Sequence, residues 1–188
     1  MEYCKSQPNL PPPLLRLFLL FDGTVTHFFE TVFLETISFE LEGQSEMILS
    51  NEDAIRLSVP KGEKGMQRQG WLTRKNSPNR MLYVDSIFPR LSPPLYQEIL
   101  LGQKTLGQII HSQKLLLRRD RIEIGLFSLP KIASGFGSLS DPMIWARRYR
   151  LILAGEGSLL LFEAISPHIT NLMIDNTNEN DFYFRKTK

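Results

Sequence analysis

Thiol chemistry is almost missing from this chain: its 188 residues include one cysteine, Cys4. A single thiol excludes an internal disulfide framework and any metal site built on clustered cysteines. Histidine is scarce as well. His27, His111 and His168 stand far apart, without the short spacings that gather ligands around a metal, so each reads as an ordinary helix or loop residue and no metal is expected. An excess of one charge is lacking too. Lys and Arg number 22 against 20 Asp and Glu, a formal net charge of +2, which gives no electrostatic case for a nucleic-acid partner.

No apolar run approaches the roughly 20 residues that a membrane-spanning helix needs. The run Leu14 to Phe21 is short and broken by Arg16. A signal-peptide reading fits it poorly, because Glu2 accompanies Lys5 ahead of it and no small-x-small cleavage site follows. An Arg- and Ser-rich transit leader is not evident either. Preceded by Pro11-Pro12-Pro13, the run reads as a core-packing helix started by proline.

What is present is a globular composition, 42% hydrophobic and 22% charged, in a length that suits one domain with a substantial core. Residues 1–13 form a proline-rich lead-in, 14–167 the domain, and 168–188 a polar tail expected to be disordered or lightly docked. After Asp22-Gly23, Thr24 or Thr26 caps a second helix to about Leu34. Ile37, Phe39 and Leu41 then alternate with polar residues, a half-buried strand. Residues 43–64 read as a loop or flap. Met66–Arg74 and Arg80–Phe88 flank the turn cluster Lys75-Asn76-Ser77-Pro78-Asn79, a hairpin. A helix opens at Ser92-Pro93-Pro94, and a shorter one follows Thr105.

Three further strands are expected at Leu115–Phe127, Met143–Leu153 and Ser158–Ile165, the last two joined through Gly155-Glu156-Gly157. The stretch 129–142, rich in Ser, Gly and Pro, reads as a mobile crossing loop. Strands joined by short turns favour antiparallel pairing. The expected fold is therefore α+β, a single domain with a roughly six-stranded antiparallel sheet and helices packed on one side. Trp71 and Trp145 read as core residues.

The last third carries unusual charge for strands. Arg118-Arg119-Asp120-Arg121-Ile122-Glu123-Ile124-Gly125 is followed by Trp145-Ala146-Arg147-Arg148-Tyr149-Arg150-Leu151, and Glu163 ends the apolar run Leu159-Leu160-Leu161-Phe162. So many guanidinium groups, with one carboxylate among apolar neighbours, suggest a pocket for a small anion. Cross-strand ion pairs of Arg119, Asp120 and Glu123 with Arg147, Arg148 and Arg150 are the structural alternative.

Those runs, together with Gly102-Gln103-Lys104-Thr105-Leu106-Gly107 and Arg68-Gln69-Gly70-Trp71-Leu72, resemble in order and spacing the chorismate lyase (chorismate–pyruvate lyase) family. The resemblance covers about residues 14–167 and leans toward the cyanobacterial and plastid-encoded branch, with its longer loop over 126–144. It implies a cofactor-free conversion of chorismate to 4-hydroxybenzoate and pyruvate, feeding prenylquinone (plastoquinone) synthesis in a plastid stroma or a cyanobacterial cytoplasm.

The resemblance also implies a site. Arg68 would hold the ring carboxylate and the backbone at Leu106 would contribute. Glu163 would contact the ring 4-hydroxyl, in orientation or proton transfer, and Val25 would stand where bacterial enzymes have a methionine. Arg148 is the candidate for the second carboxylate. Gly107 and Gly125 mark places where a side chain would obstruct the fold or the ligand. The same fold occurs in effector-binding domains of bacterial transcription regulators, so a non-catalytic aromatic-acid-binding module is the alternative. No basic recognition helix is visible, so DNA binding is not expected, and a monomer is the default.

Overall fold

Alternation of apolar and polar residues sets the strands, and a computed structural model describes the chain over residues 11–75, 79–137 and 141–175. The strands are β1 (Ile37–Ile48), β2 (Lys64–Arg74), β3 (Arg80–Pro89), β4 (Leu117–Ser128), β5 (Met143–Leu153) and β6 (Gly157–Ile165). They form one sheet in the order β1-β2-β3-β6-β5-β4, with every pair antiparallel. Two three-stranded meanders thus meet where β3 pairs with β6. The α+β class and the six-stranded antiparallel sheet read from the sequence are what the structure has.

Among the described residues seven helices accompany the sheet: α1 (Pro13–Leu20), α2 (Val25–Phe33), α3 (Asn51–Leu57), α4 (Pro93–Leu100), α5 (Leu106–Ser112), α6 (Pro130–Gly135) and α7 (Pro167–Asp175). Successive side chains of a strand point to opposite faces. Along β6, Leu159, Leu161 and Ile165 meet one layer of helices while Leu160 and Ala164 meet another. On the first face α1 and α2 bury Leu15, Phe18 and Phe29 against Leu72, Leu82 and Ile165. There α4 and α5 also bury Leu95, Ile99 and Ile109 against Phe88, Leu151 and Leu159. The opposite face is covered more thinly, by Ala54 and Leu57 of α3 and by Ala133 of α6.

Three segments differ from the sequence reading. Residues 43–64 are not a loop throughout: β1 continues to Ile48, and α3 follows with the Ser50 side chain capping the Asp53 amide at 3.1 Å. A register shift between Leu41 and Gly43 hides the strand, because one extra residue breaks the period of two. Residues 130–135 form α6 rather than a crossing loop, begun by Pro130 at its first turn. The domain also passes 167, since α7 packs Ile169 into the core. The rest of the expected tail, 176–188, lies outside the described residues, as do 76–78 of the expected turn.

The β1–β2 approach is close at Gly70, which pairs with Leu41 on one side and Val84 on the other. A Cβ there would overlap the Phe39 ring and the Glu40 carbonyl, and the carbonyl is backbone that cannot swing aside. Gly70→Ala is therefore expected to destabilise the fold by about 1–3 kcal/mol, read from urea denaturation at constant m-value. An unchanged or higher midpoint would show that β1 does not pack as described.

Candidate functional site

The turn between β5 and β6 fixes the centre of the site. Gly155 and Gly157 both hold positive φ, at 80° and 121°, a conformation that other residues adopt with strain. Counting back equally along the two strands from that turn places Arg147 directly opposite Glu163. The pair is nearly out of solvent, 1% and 5% exposed. Arg147 Nε donates to Glu163 Oε2 at 2.7 Å, and the Tyr149 hydroxyl donates to Oε1 at 3.0 Å. Glu163 is therefore not a carboxylate left among apolar neighbours. Both of its oxygens are held, and each keeps a lone pair for a further donor.

Arg147 extends this arrangement to α1. One terminal nitrogen donates to the carbonyls of Phe18, Leu19 and Phe21, at 3.3, 2.7 and 3.3 Å. Leu19 lies in the last turn of α1, where carbonyls lack an intrahelical donor and the helix dipole favours a cation, while the Phe18 carbonyl also accepts from the Phe21 amide. Burial works against the guanidinium charge, but Glu163 and Tyr149 outweigh it and raise the Arg147 pKa. Burial, reinforced by Glu163, raises the Tyr149 pKa as well. The phenol accordingly remains protonated and able to donate.

Arg68 projects from β2 toward the same region and is 4% exposed. One terminal nitrogen donates to the Lys104 carbonyl at 2.7 Å, and the guanidinium lies 3.9 Å from the centre of the Phe39 ring. Its Nε is buried without an acceptor, and among the described residues no carboxylate lies within ion-pair distance of it. Burial lowers its pKa to about 10, so it is still a cation at neutral pH. A buried cation without a counter-charge is costly, and an anionic ligand is what would relieve it.

Between the sheet and the beginnings of α2 and α5 lies a small cavity, with about 40 Å³ open to the centre of a water molecule. Arg68, Leu106, Glu163 and Val25 all line it. The roof is held by short contacts. Thr24, not Thr26, caps α2 through the His27 amide, which leaves the Thr26 hydroxyl free to donate to Thr105 at 2.9 Å. Thr105 caps α5 reciprocally with Gln108. A Cβ on Gly107 would stand 2.8 Å from Thr26 Oγ1, so this glycine lets the two helix starts close over the cavity.

The structure does not bring Arg148 to this cavity. Alternation on β5 sends Arg147 and Tyr149 to the cavity face and Arg148 to the opposite one, where its Nε donates to Glu123 at 2.8 Å. Arg150 pairs with Asp120 on that same outer face, at 2.8 Å. These two are the cross-strand pairs expected from the sequence. The same expectation placed Arg119 and Arg147 in that scaffold, and both lie elsewhere. Arg147 holds Glu163, and Arg119 lines the cavity beside Tyr149.

The sequence reading missed Tyr149, Arg119 and the Thr26–Thr105 contact. A signal existed for one of them, because the glycine turn and strand alternation together put Arg147 and Tyr149 on the face of Glu163. Among the described residues no group of three or more His, Cys, Asp or Glu is placed to hold a metal ion. No described helix is long and apolar enough to cross a membrane.

Comparisons with known proteins bear on this geometry. The effector domain of PhnF from Mycobacterium smegmatis superposes with a TM-score of 0.61 at 15% identity, covering 84% of this chain and 92% of that one. A GntR-family transcriptional regulator from Enterococcus faecalis superposes at 0.54 with 10% identity, covering 79% and 100%. Identities this low show a shared fold and nothing finer. No curated protein matches by sequence. A family model, Chorismate pyruvate-lyase Rv2949c-like, matches residues 19–173, a span that includes every residue of the cavity. The chain belongs to the Rv2949c-like chorismate pyruvate-lyase family.

Proposed function

We propose that the protein is a chorismate–pyruvate lyase, converting chorismate to 4-hydroxybenzoate and pyruvate without a cofactor. The observation that carries this reading is the pairing, in one cavity, of a buried unneutralised Arg68 with a Glu163 held ready to accept. A guanidinium can grip a ring carboxylate through two parallel hydrogen bonds. Glu163 then accepts from the ring 4-hydroxyl with the lone pairs that Arg147 and Tyr149 leave open.

The chemistry asks little more of the protein. The C4–H proton leaves, its electron pair becomes the new ring double bond, the C3–O pair departs with the enolpyruvyl oxygen, and that oxygen takes up a proton, so that one is lost and one gained. Ketonisation of the released enol gives pyruvate. Because the ring becomes aromatic, much of the driving force resides in the substrate. The site has to hold the reactive conformer, exclude water and receive charge on the departing oxygen.

A place in prenylquinone synthesis, in a plastid or cyanobacterial cell, carries the proposal one step further and rests on the sequence resemblance alone. A second reading is favoured by the fold shared with the effector domain of PhnF: a module that binds an aromatic acid without turning it over.

Purified protein mixed with chorismate is expected to release pyruvate and 4-hydroxybenzoate in equal amounts, followed by coupled lactate dehydrogenase and by absorbance. Arg68→Ala and Glu163→Gln are each expected to lower kcat/KM about 10- to 100-fold, as loss of a hydrogen bond to a charged group predicts. Release undiminished in both variants would remove the site from the account. Binding of 4-hydroxybenzoate with no release by the wild type would favour the binding module.

A further inference from the structure

Arg119 is the second cation of the cavity and takes no part in the Arg147–Glu163 pair. Its side chain is 3% exposed although it comes from an edge strand. Its two terminal nitrogens donate to the backbone carbonyls of Asp22 and Gly23, in the link between α1 and α2. The guanidinium lies 5.0 Å from the centre of the Tyr149 ring. Its Nε is buried with no acceptor. The nearest carboxylate, Asp22 at 3.7 Å, is 85% exposed, so solvent screens most of what it offers.

Charge and position then agree. Arg68, Arg119 and Arg147 are three buried cations around one buried carboxylate, Glu163, an excess of two positive charges. Chorismate has two carboxylates. In the sheet order, β6 with Glu163 lies two strands from β2 with Arg68 and two strands from β4 with Arg119, about 10 Å of sheet on either side. The ring hydroxyl of chorismate is para to the ring carboxylate and adjacent to the carbon that bears the enolpyruvyl ether. A ring anchored at Arg68, with its hydroxyl on Glu163, thus sends the ether and its carboxylate onward to the β4 side. Tyr149 spans that side, with its hydroxyl on Glu163 and its ring beneath Arg119.

We infer that Arg119 forms a second anion subsite for the enolpyruvyl carboxylate, so that the cavity distinguishes a dicarboxylate substrate from the monocarboxylate product. This rests on the lyase reading for the identity of the ligand but assigns Arg119 independently of turnover. Arg148, the sequence candidate for this contact, is excluded by its place on the other face of the sheet.

The probe is 3-(carboxymethoxy)-4-hydroxybenzoate, a stable aromatic dianion, compared with 4-hydroxybenzoate by titration calorimetry. Wild-type protein is expected to bind the dianion about tenfold or more tightly than the monoanion, the scale of one hydrogen-bonded charge pair. Arg119→Gln is expected to abolish that preference while changing 4-hydroxybenzoate affinity less than about threefold. A preference that persists in Arg119→Gln overturns the inference.

If Arg119→Gln binds neither ligand, Arg119→Lys decides, because it keeps the charge. Retained preference supports the subsite, whereas loss of the preference or of all binding would make Arg119 a structural brace. Absence of turnover alongside an Arg119-dependent preference would remove the lyase and leave the subsite. Turnover with a preference indifferent to Arg119 would do the reverse.

Discussion

A carboxylate in the middle of a six-stranded sheet has to be neutralised by something equally buried, and the Arg147–Glu163 pair meets that requirement. Breaking such a pair by removing one partner costs about 3–5 kcal/mol, a large part of what holds a domain of this size together. The pair also fixes geometry beyond itself. Arg147 reaches the last carbonyls of α1, so the helix that leads into the cavity roof is registered on the sheet through one guanidinium. Glu163 is thereby presented to the cavity as an oriented acceptor, with Tyr149 on its other oxygen.

Arg68 is the opposite case. It lies as deep as Glu163 but has a carbonyl and an aromatic face where Arg147 has a carboxylate. A fold that neutralises one buried cation fully and another hardly at all is asymmetric for a reason that stability does not supply. Anion binding does. The α2 and α5 starts, drawn together at Thr26, Thr105 and Gly107, close the space in which such a ligand would be desolvated, and desolvation strengthens its contact with Arg68.

Much of this was readable from residue order, and the rest failed for local physical reasons. Strand periodicity located five of the six strands near their bounds, and it lost the second half of β1 at the Gly43 register shift. Arg68 and Glu163 were reached through resemblance, whereas the role of Arg147 follows from counting along the two strands from the turn. The arginines are instructive because they come in adjacent pairs, Arg118-Arg119 and Arg147-Arg148, and alternation sends the members of each pair to opposite faces. On β4 that parity cannot be carried along the sequence. Asp120 and Glu123 are three residues apart yet both pair outward, which needs the bulge that Arg121 provides with φ of 53°.

If Arg68 is kept buried and unneutralised for a ligand carboxylate, thermal unfolding of Arg68→Met with and without 4-hydroxybenzoate will show it. A ligand at about 100 times its Kd stabilises the native state by about 2.7 kcal/mol. Wild-type Tm is expected to rise clearly with ligand. Arg68→Met without ligand is expected to be at least as stable as the wild type, because an unpaired buried charge has been replaced by an apolar chain of similar length, and its Tm is expected not to respond to ligand. A variant that unfolds earlier than the wild type yet keeps the full ligand shift would show that Arg68 is not held for a ligand.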